Sequence, residues 1–335
     1  MYYILTFVLS FLTSYFIIPL LIFVAIKYRV VDYPHTSIKT HKIATPYLGG
    51  VAIWAGFVVA LFIIRFFTNF PTGTLRALRG ILSGATFMLM VGLIDDIKPI
   101  GFKAKFLWQI VGAIILINFD IRIKFLKPGY LADMLTILWV VGICNAVNII
   151  DIMNGLASGI SFIASLTFLF IAIPNEEIYV NFAAAGLAGG ILGFLNYNFP
   201  KAKIFMGDAG SLFIGFALAA ISLGTSYTRV NEIAIYTPIL ILGVPIYDTL
   251  YVMYLRAIKG KSPFLGSKDH LALRLESLGL SRKDVVLLLW CISVVLSFSA
   301  FLISKVTLNI AIFIYAIIIS LACAGGWHLS KIKMD

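Results

Sequence analysis

Charge is scarce in this chain. Only 12% of its 335 residues are Asp, Glu, Lys or Arg, against ~25% in an ordinary soluble domain. With 61% hydrophobic residues and a mean hydropathy of +1.02, the shortage excludes a soluble globular protein. Cysteine is scarce too. Cys144, Cys291 and Cys323 lie in apolar stretches without metal-ligand spacing, so they read as small hydrophobes and imply no disulfide. There is no Pro/Ser linker, internal repeat or low-complexity tail, which leaves one domain over residues 1–335. The N-terminus lacks a basic n-region and a small-residue cleavage site, and its apolar run is too long for a signal peptide. It is expected to stay as the first membrane span. A net charge of +11 would suggest nucleic acid in a soluble protein. No basic-aromatic motif accompanies it, so nucleic acid is excluded as a partner. The charge instead reports cytoplasmic loops and contact with anionic membrane lipids.

What the chain has is long apolar runs. A span needs ~20 mostly apolar residues, and eleven runs are expected to form one: 2–26, 47–67, 79–95, 104–119, 133–149, 157–173, 178–196, 208–226, 233–256, 285–304 and 307–328. The expected fold is an all-α integral membrane protein, a polytopic bundle of about eleven transmembrane helices. An odd number puts the termini on opposite sides. With the C-terminus cytoplasmic and the N-terminus outside, eighteen of the 26 Lys and Arg fall on the cytoplasmic side, as the positive-inside rule requires. The outer segment IRIKFLKPGY breaks the rule, and its alternation suggests a short hairpin. Ten of the 15 Asp and Glu also fall inside. Acids contribute little to orientation, so their gathering needs a chemical reason.

Five blocks supply one. GLIDDIKPIGFKAKFLWQ ends a span with Asp95-Asp96 and follows it with Lys98, Lys103 and Lys105. Adjacent carboxylates suit a divalent cation, which offsets their repulsion, although a solvated helix end is the plainer alternative. In NAVNIIDIMNGL, Asn145, Asn148, Asp151 and Asn154 recur every third residue. They form a polar stripe that is costly in an apolar run unless partnered. In FMGDAGSLFIG, Asp208 precedes a span, with Gly207, Gly210 and Ser211 at the helix N-terminus, where free N–H groups favour phosphate and Asp208 could hold Mg²⁺. Asp248 lies about two turns inside another span. The basic loop after it carries His270 and Arg274, four apart, and arginine suits phosphate oxygens. HKIATPYLGG turns into a span at Pro46 and Gly49-Gly50, with Lys42 placed for a phosphate or for a membrane anchor.

Together these blocks resemble the polyprenyl-phosphate N-acetylhexosamine-1-phosphate transferase family. The resemblance is carried by T-P-x-x-G-G at 45–50, the Asp95-Asp96 pair, N-x-x-N-x-x-D, F-x-G-D-x-G-S at 205–211 and the SPF…H…RL loop. It implies a single transmembrane glycosyl-1-phosphate transferase domain in the cytoplasmic membrane, with its active site on the cytoplasmic face. The implied reaction moves a sugar-1-phosphate from a UDP-sugar to undecaprenyl phosphate and releases UMP, with Mg²⁺ or Mn²⁺ as cofactor. By the resemblance, Asp208 ligates the metal and Asp95 and Asp96 stand beside the lipid phosphate. Asn148 and Asp151 line the nucleotide site, Phe205 stacks on uracil, Asn198 contacts it, and His270 faces the diphosphate. The 259–280 loop helps select the sugar, and a homodimer is the fold's analogy. The SPF loop resembles the initiators of O-antigen, enterobacterial common antigen and teichoic-acid linkage units more than the lipid I enzyme. It departs from their H-x-H-H at His270-Leu271-Ala272-Leu273, and Asn154 stands where D-G-x-D-G-L has its second acid.

Phosphoryl transfer asks the protein mainly to position groups and neutralise charge. The acceptor phosphate, with a second pKa near ~6, is already largely dianionic. Direct attack is therefore preferred, with Asp95 or Asp96 orienting the phosphate; a covalent aspartyl intermediate is the rival. Lipid I synthesis, a secondary transporter and a non-catalytic assembly subunit are the alternative functions.

Overall fold

The computed structural model describes residues 2–32, 45–175, 177–228, 230–260, 262, 267–332 and 334. The chain packs as two compact units, Met1–Thr225 and Ser226–Asp335.

The first unit holds α1 (Tyr2–Lys27), α2 (Gly49–Phe67), α3 (Thr72–Ile97), α4 (Phe102–Asn118), α5 (Tyr130–Ile149), α6 (Leu156–Ala172), α7 (Ile178–Asn198) and α8 (Gly207–Gly224). Two-residue strands β1 (Val31–Asp32) and β2 (Thr45–Pro46) pair antiparallel between α1 and α2. Helices α7 and α8 are apolar nearly all round and buried, as a central helix must be. Small residues permit the closeness. Ser10 Oγ donates to Gly186 O at 2.6 Å, and a Cβ on Gly189 would lie 2.2 Å from Phe7 O, so α1 and α7 touch backbone to backbone.

The second unit holds α9 (Thr237–Ile241), α10 (Gly243–Ile258), α11 (Leu271–Ser277), α12 (Arg282–Ile303) and α13 (Leu308–Ser330). The single span expected over 233–256 is broken here. The stretch Glu232–Ile241 and α10 meet at 75°. Pro245 lacks the N–H that would bond Ile241 O, and Gly243 stands at the bend. Helix α13 is apolar and largely exposed, which suits a lipid surrounding rather than water.

Each of the eleven expected runs is helical. Among the described residues, nine helices are long and apolar enough to cross a membrane, or ten if the bent pair is one span. Helix α4 is the shortfall. Its 17 residues reach about 25 Å at 1.5 Å per residue, less than a hydrocarbon core. The protein is a multi-pass membrane protein.

The outer hairpin is also corrected, since residues 121–129 form no strand. Their basic side chains bind helix ends instead. Arg122 donates to Ile117 O near the end of α4 at 3.1 Å and pairs with Asp133 at 2.8 Å. Lys124 Nζ donates to Gly224 O, the last residue of α8, at 2.9 Å. Cations stabilise helix C-termini, which gives the basic residues of this segment a structural reason.

Candidate active site

Asp95 and Asp96 end α3 side by side, yet successive helical residues point about 100° apart, and the two carboxylates do different things. Asp96 Oδ1 accepts from the backbone N–H of Asp208 at 2.8 Å, and Oδ2 from that of Ala209 at 3.0 Å. It therefore caps α8 from a neighbouring helix, satisfying two N–H groups of the first turn. Gly207 sits at φ +70°, and a Cβ there would lie 2.5 Å from Asp96 Oδ2, so only glycine fits. A Cβ on Gly92 would lie 2.4 Å from Asp208 O, and one on Gly50 2.2 Å from Gly210 N. The three glycine-bearing blocks of the sequence thus form one junction at the start of α8. Gly49 and Gly50 N–H close it by donating to Phe205 O (2.9 Å) and Met206 O (3.0 Å).

Asp95 faces the other way. Its Oδ1 accepts from Ile100 N at 2.8 Å, and its Oδ2 is 2.6 Å from Lys105 Nζ. Lys105, in the first turn of α4, also pairs with Asp208 Oδ2. The Asp95 and Asp208 carboxyls are themselves within hydrogen-bonding reach of each other. Asn148 Nδ2 donates to Asp208 Oδ1 and to Ser211 Oγ, both at 2.8 Å. One turn along, Gln109 and Asn145 join their amides at 2.6 and 3.4 Å. Asp151 lies just past α5, partly accessible. Burial, with the charges of Asp208 and then Asp96, pushes its carboxyl up to about 7.

The donor set fits a divalent cation. Two carboxylate oxygens from different helices converge on one ammonium, which marks a cation position lined by hard oxygens. Among the described residues no cluster of three or more His, Cys, Asp or Glu is arranged as a ligand cage. Mg²⁺ does not need one, because it commonly takes one or two carboxylates and completes its shell with water and substrate phosphates.

Residues 78–226, which contain this whole cluster, match the glycosyl transferase family 4 profile. The chain is 35% identical to the probable undecaprenyl-phosphate N-acetylglucosaminyl 1-phosphate transferase of Bacillus subtilis, over 93% of this chain and 88% of the relative. The chain belongs to glycosyl transferase family 4. Its motif resemblance to the polyprenyl-phosphate N-acetylhexosamine-1-phosphate transferases is borne out. It is also 30% identical to the decaprenyl-phosphate N-acetylglucosaminephosphotransferase of Mycobacterium tuberculosis, over 82% and 76% of the two chains. To the phospho-N-acetylmuramoyl-pentapeptide-transferase of Limosilactobacillus reuteri it is 35% identical, over 66% and 74%.

Within this family member, the structure brings together Asp95, Asp96, Lys105, Asn145, Asn148, Asp208 and Ser211, with Asp151 beside them. Phe205 is partly exposed, its ring 6.2 Å from that of Tyr47. Asn198 is spent inside the protein. Its Oδ1 accepts from Gly155 N at 2.7 Å and its Nδ2 donates to Ile204 O at 3.0 Å, which ties the 150–155 turn to the segment leading into α8. Asn154 Nδ2 reaches Pro200 O at 3.4 Å. Lys42 lies outside the described residues, as does most of the SPF segment.

Two expectations are overturned. The first turn of α8 is not a free phosphate cradle, because Asp96 accepts the N–H groups of Asp208 and Ala209 and Met206 O accepts that of Gly210. Nor is Arg274 a phosphate ligand. It is 1% exposed and donates to Asp269 O, to Asp269 Oδ1 at 2.6 Å, and to Leu329 O and Ile332 O at 2.8 Å each. It clamps the end of α13. His270 is buried too, with Nδ1 2.8 Å from Asp248 Oδ2, while Asp248 Oδ1 accepts from Leu271 N at 2.6 Å. Sequence reasoning missed Gln109, although it lies one turn from Lys105 on the same face. It also missed the Tyr47 hydroxyl, which hydrogen-bonds Asp32.

Proposed function

We propose that this chain transfers an N-acetylhexosamine-1-phosphate from a UDP-sugar to undecaprenyl phosphate, giving the undecaprenyl-diphosphate sugar and UMP. The reading places it in the cytoplasmic membrane with its N-terminus outside, its C-terminus cytoplasmic and the site on the cytoplasmic face, where it starts a surface polysaccharide. The observation that carries the proposal is the meeting of Asp95 and Asp208, from α3 and α8, on one cation position. The long match to the Bacillus subtilis enzyme supports the N-acetylglucosaminyl branch over lipid I synthesis, whose relative covers less of the chain.

Asp208, with Asp95 beside it, would hold Mg²⁺ or Mn²⁺. That ion, when bound, offsets negative charge on the diphosphate and on departing UMP. Asn148 fixes Asp208 from one side, and Asp96 fixes it from below by holding the start of α8. Asp95 orients the acceptor phosphate, which is already a nucleophile near neutral pH. Asn145, Asn148, Ser211 and Asp151 line the nucleotide side, and Phe205 offers a ring for uracil.

The test uses purified protein, undecaprenyl phosphate, Mg²⁺ and a panel of UDP-sugars, with UMP release as the readout. UDP-N-acetylglucosamine is expected to give UMP and a polyprenyl-diphosphate sugar. No UMP with any sugar would sink the proposal.

A further inference from the structure

Lys105 holds a position that the reaction itself does not explain. Its ammonium sits between Asp95 Oδ2 and Asp208 Oδ2, the two oxygens best placed for a divalent ion. The Asp95 and Asp208 carboxyls are close enough to hydrogen-bond each other, so without a cation they would repel strongly. Asp96 gives no relief, because it is itself an acid, held in place by two backbone N–H groups. Asn148 reaches only the far oxygen of Asp208. Lys105 is thus the one cation among the described residues that pairs with both carboxylates. Its side chain remains about one-fifth exposed, and it enters from α4 on a flexible stem, so it can leave without unpacking a helix.

We propose that Lys105 is a built-in surrogate cation, which holds the metal-free site together and swings out of the Asp95–Asp208 pair when a divalent ion binds, becoming free to meet substrate phosphate. The inference rests on the reading of Asp208 and Asp95 as metal-holding residues. A lysine suits the part because its ammonium is compact and its stem rotates freely, whereas a guanidinium would lock onto a carboxylate in a two-pronged pair. The consequence is a competition: the ammonium and the divalent ion cannot share the same two oxygens. Removing the ammonium should therefore raise divalent affinity, although the same change removes a phosphate partner and lowers turnover.

The experiment measures Mn²⁺ binding to the full-length protein in detergent, without either substrate, by the electron paramagnetic resonance signal of free Mn²⁺. Lys105→Met is expected to bind Mn²⁺ at least about tenfold more tightly than wild type. In EDTA it should melt at a lower temperature than wild type and recover on adding Mn²⁺. Adding Asp208→Asn to Lys105→Met should abolish the tight binding, which locates it at this pair. A second measurement needs no variant. Acetylation of Lys105 by an amine-reactive ester, read by mass spectrometry of wild-type protein, should increase when Mn²⁺ is added. Equal or weaker Mn²⁺ affinity in Lys105→Met, or Lys105 acetylation unchanged by Mn²⁺, overturns the proposal even if wild type turns over UDP-sugars. Tighter binding in Lys105→Met together with no UMP from any UDP-sugar would leave the surrogate standing and remove the transferase reading. No Mn²⁺ binding by either protein removes the surrogate.

Discussion

Two clusters of charge in this protein look alike in sequence and are built for opposite ends. In the first unit, Asp95 and Asp208 share a single lysine, and Asp151 stands nearby, half-buried. Carboxylates outnumber cations, and the surplus negative charge is kept in reach of a ligand. In the second unit, Arg274 and Lys259 both serve Asp269, Ser267 adds a hydrogen bond, and the rest of Arg274 closes the end of α13. There the cations outnumber the carboxylate they serve, so among the described residues this cluster has no surplus negative charge. An unsatisfied cluster at a membrane enzyme's surface is a place to bind, whereas a satisfied one is a fastening. Stability arguments belong to the second and chemistry to the first.

The sharpest way to break this contrast is to neutralise one acid at a time. Asp208→Asn is expected to lower kcat by about a thousandfold, the scale seen when a group stabilising the transition state is lost, with the melting temperature nearly unchanged. Asp95→Asn should behave similarly, since an amide oxygen can still accept from Ile100 N. Asp96→Asn is different. An amide can accept only one of the two N–H groups that Asp96 now holds, so about 1–3 kcal/mol of stability should go with the activity. UMP release and thermal melting of the three variants, measured side by side, check the division. Equal melting temperatures for Asp95→Asn and Asp96→Asn would show that the capping role is wrong.

That division could not be read from the sequence. Two identical letters in a row carry no sign of which one a neighbouring helix will use, because the backbone N–H groups of α8 are 112 residues away. What was legible was local. The apolar runs gave the helices, and the three-residue spacing of Asn145, Asn148 and Asp151 gave the stripe that faces Asp208. Arg274 was misread because a basic loop reads the same whether its arginine meets phosphate or a helix C-terminus. The deciding fact, burial against Leu329 and Ile332, comes from a helix more than fifty residues on. The outer hairpin failed for a related reason. Alternation in IRIKFLKPGY reflected basic side chains reaching for helix ends rather than a two-faced strand.

Arg274 gives the next largest effect and the strongest check on the fastening. Arg274→Met keeps an apolar stem but leaves Asp269 short of its buried partner and two helix-end carbonyls bare. Removing one member of a buried pair costs about 3–5 kcal/mol. A large fall in melting temperature is expected, with Mn²⁺ affinity retained in protein that remains folded at low temperature. Loss of Mn²⁺ affinity without loss of stability would make Arg274 part of the binding chemistry after all.

The two clusters should also respond to pH with opposite signs. Burial alone would raise the Asp269 carboxyl, but hydrogen bonds from Lys259, Ser267 and Arg274, with the Lys259 charge, hold it at about 2, below its ordinary 3.8. A depressed carboxyl stabilises the fold above its unfolded pKa, and that contribution is lost as pH falls from about 4 towards about 2. The shift corresponds to about 2 kcal/mol, and Asp269→Asn should remove the pH dependence in that window. Asp151 runs the other way. Its carboxyl is raised to about 7, so the folded chain holds a proton that the unfolded chain has released. Stability therefore falls as pH rises from about 4 to about 7, and Asp151→Asn should make that decline shallower in metal-free protein. Melting temperatures in EDTA across about pH 2 to about pH 8 for wild type and both variants would show the two slopes. If Asp151→Asn left the neutral-side slope intact while Asp269→Asn flattened it, surplus charge would lie in the second unit, and the assignment of binding to the first would have to be reversed.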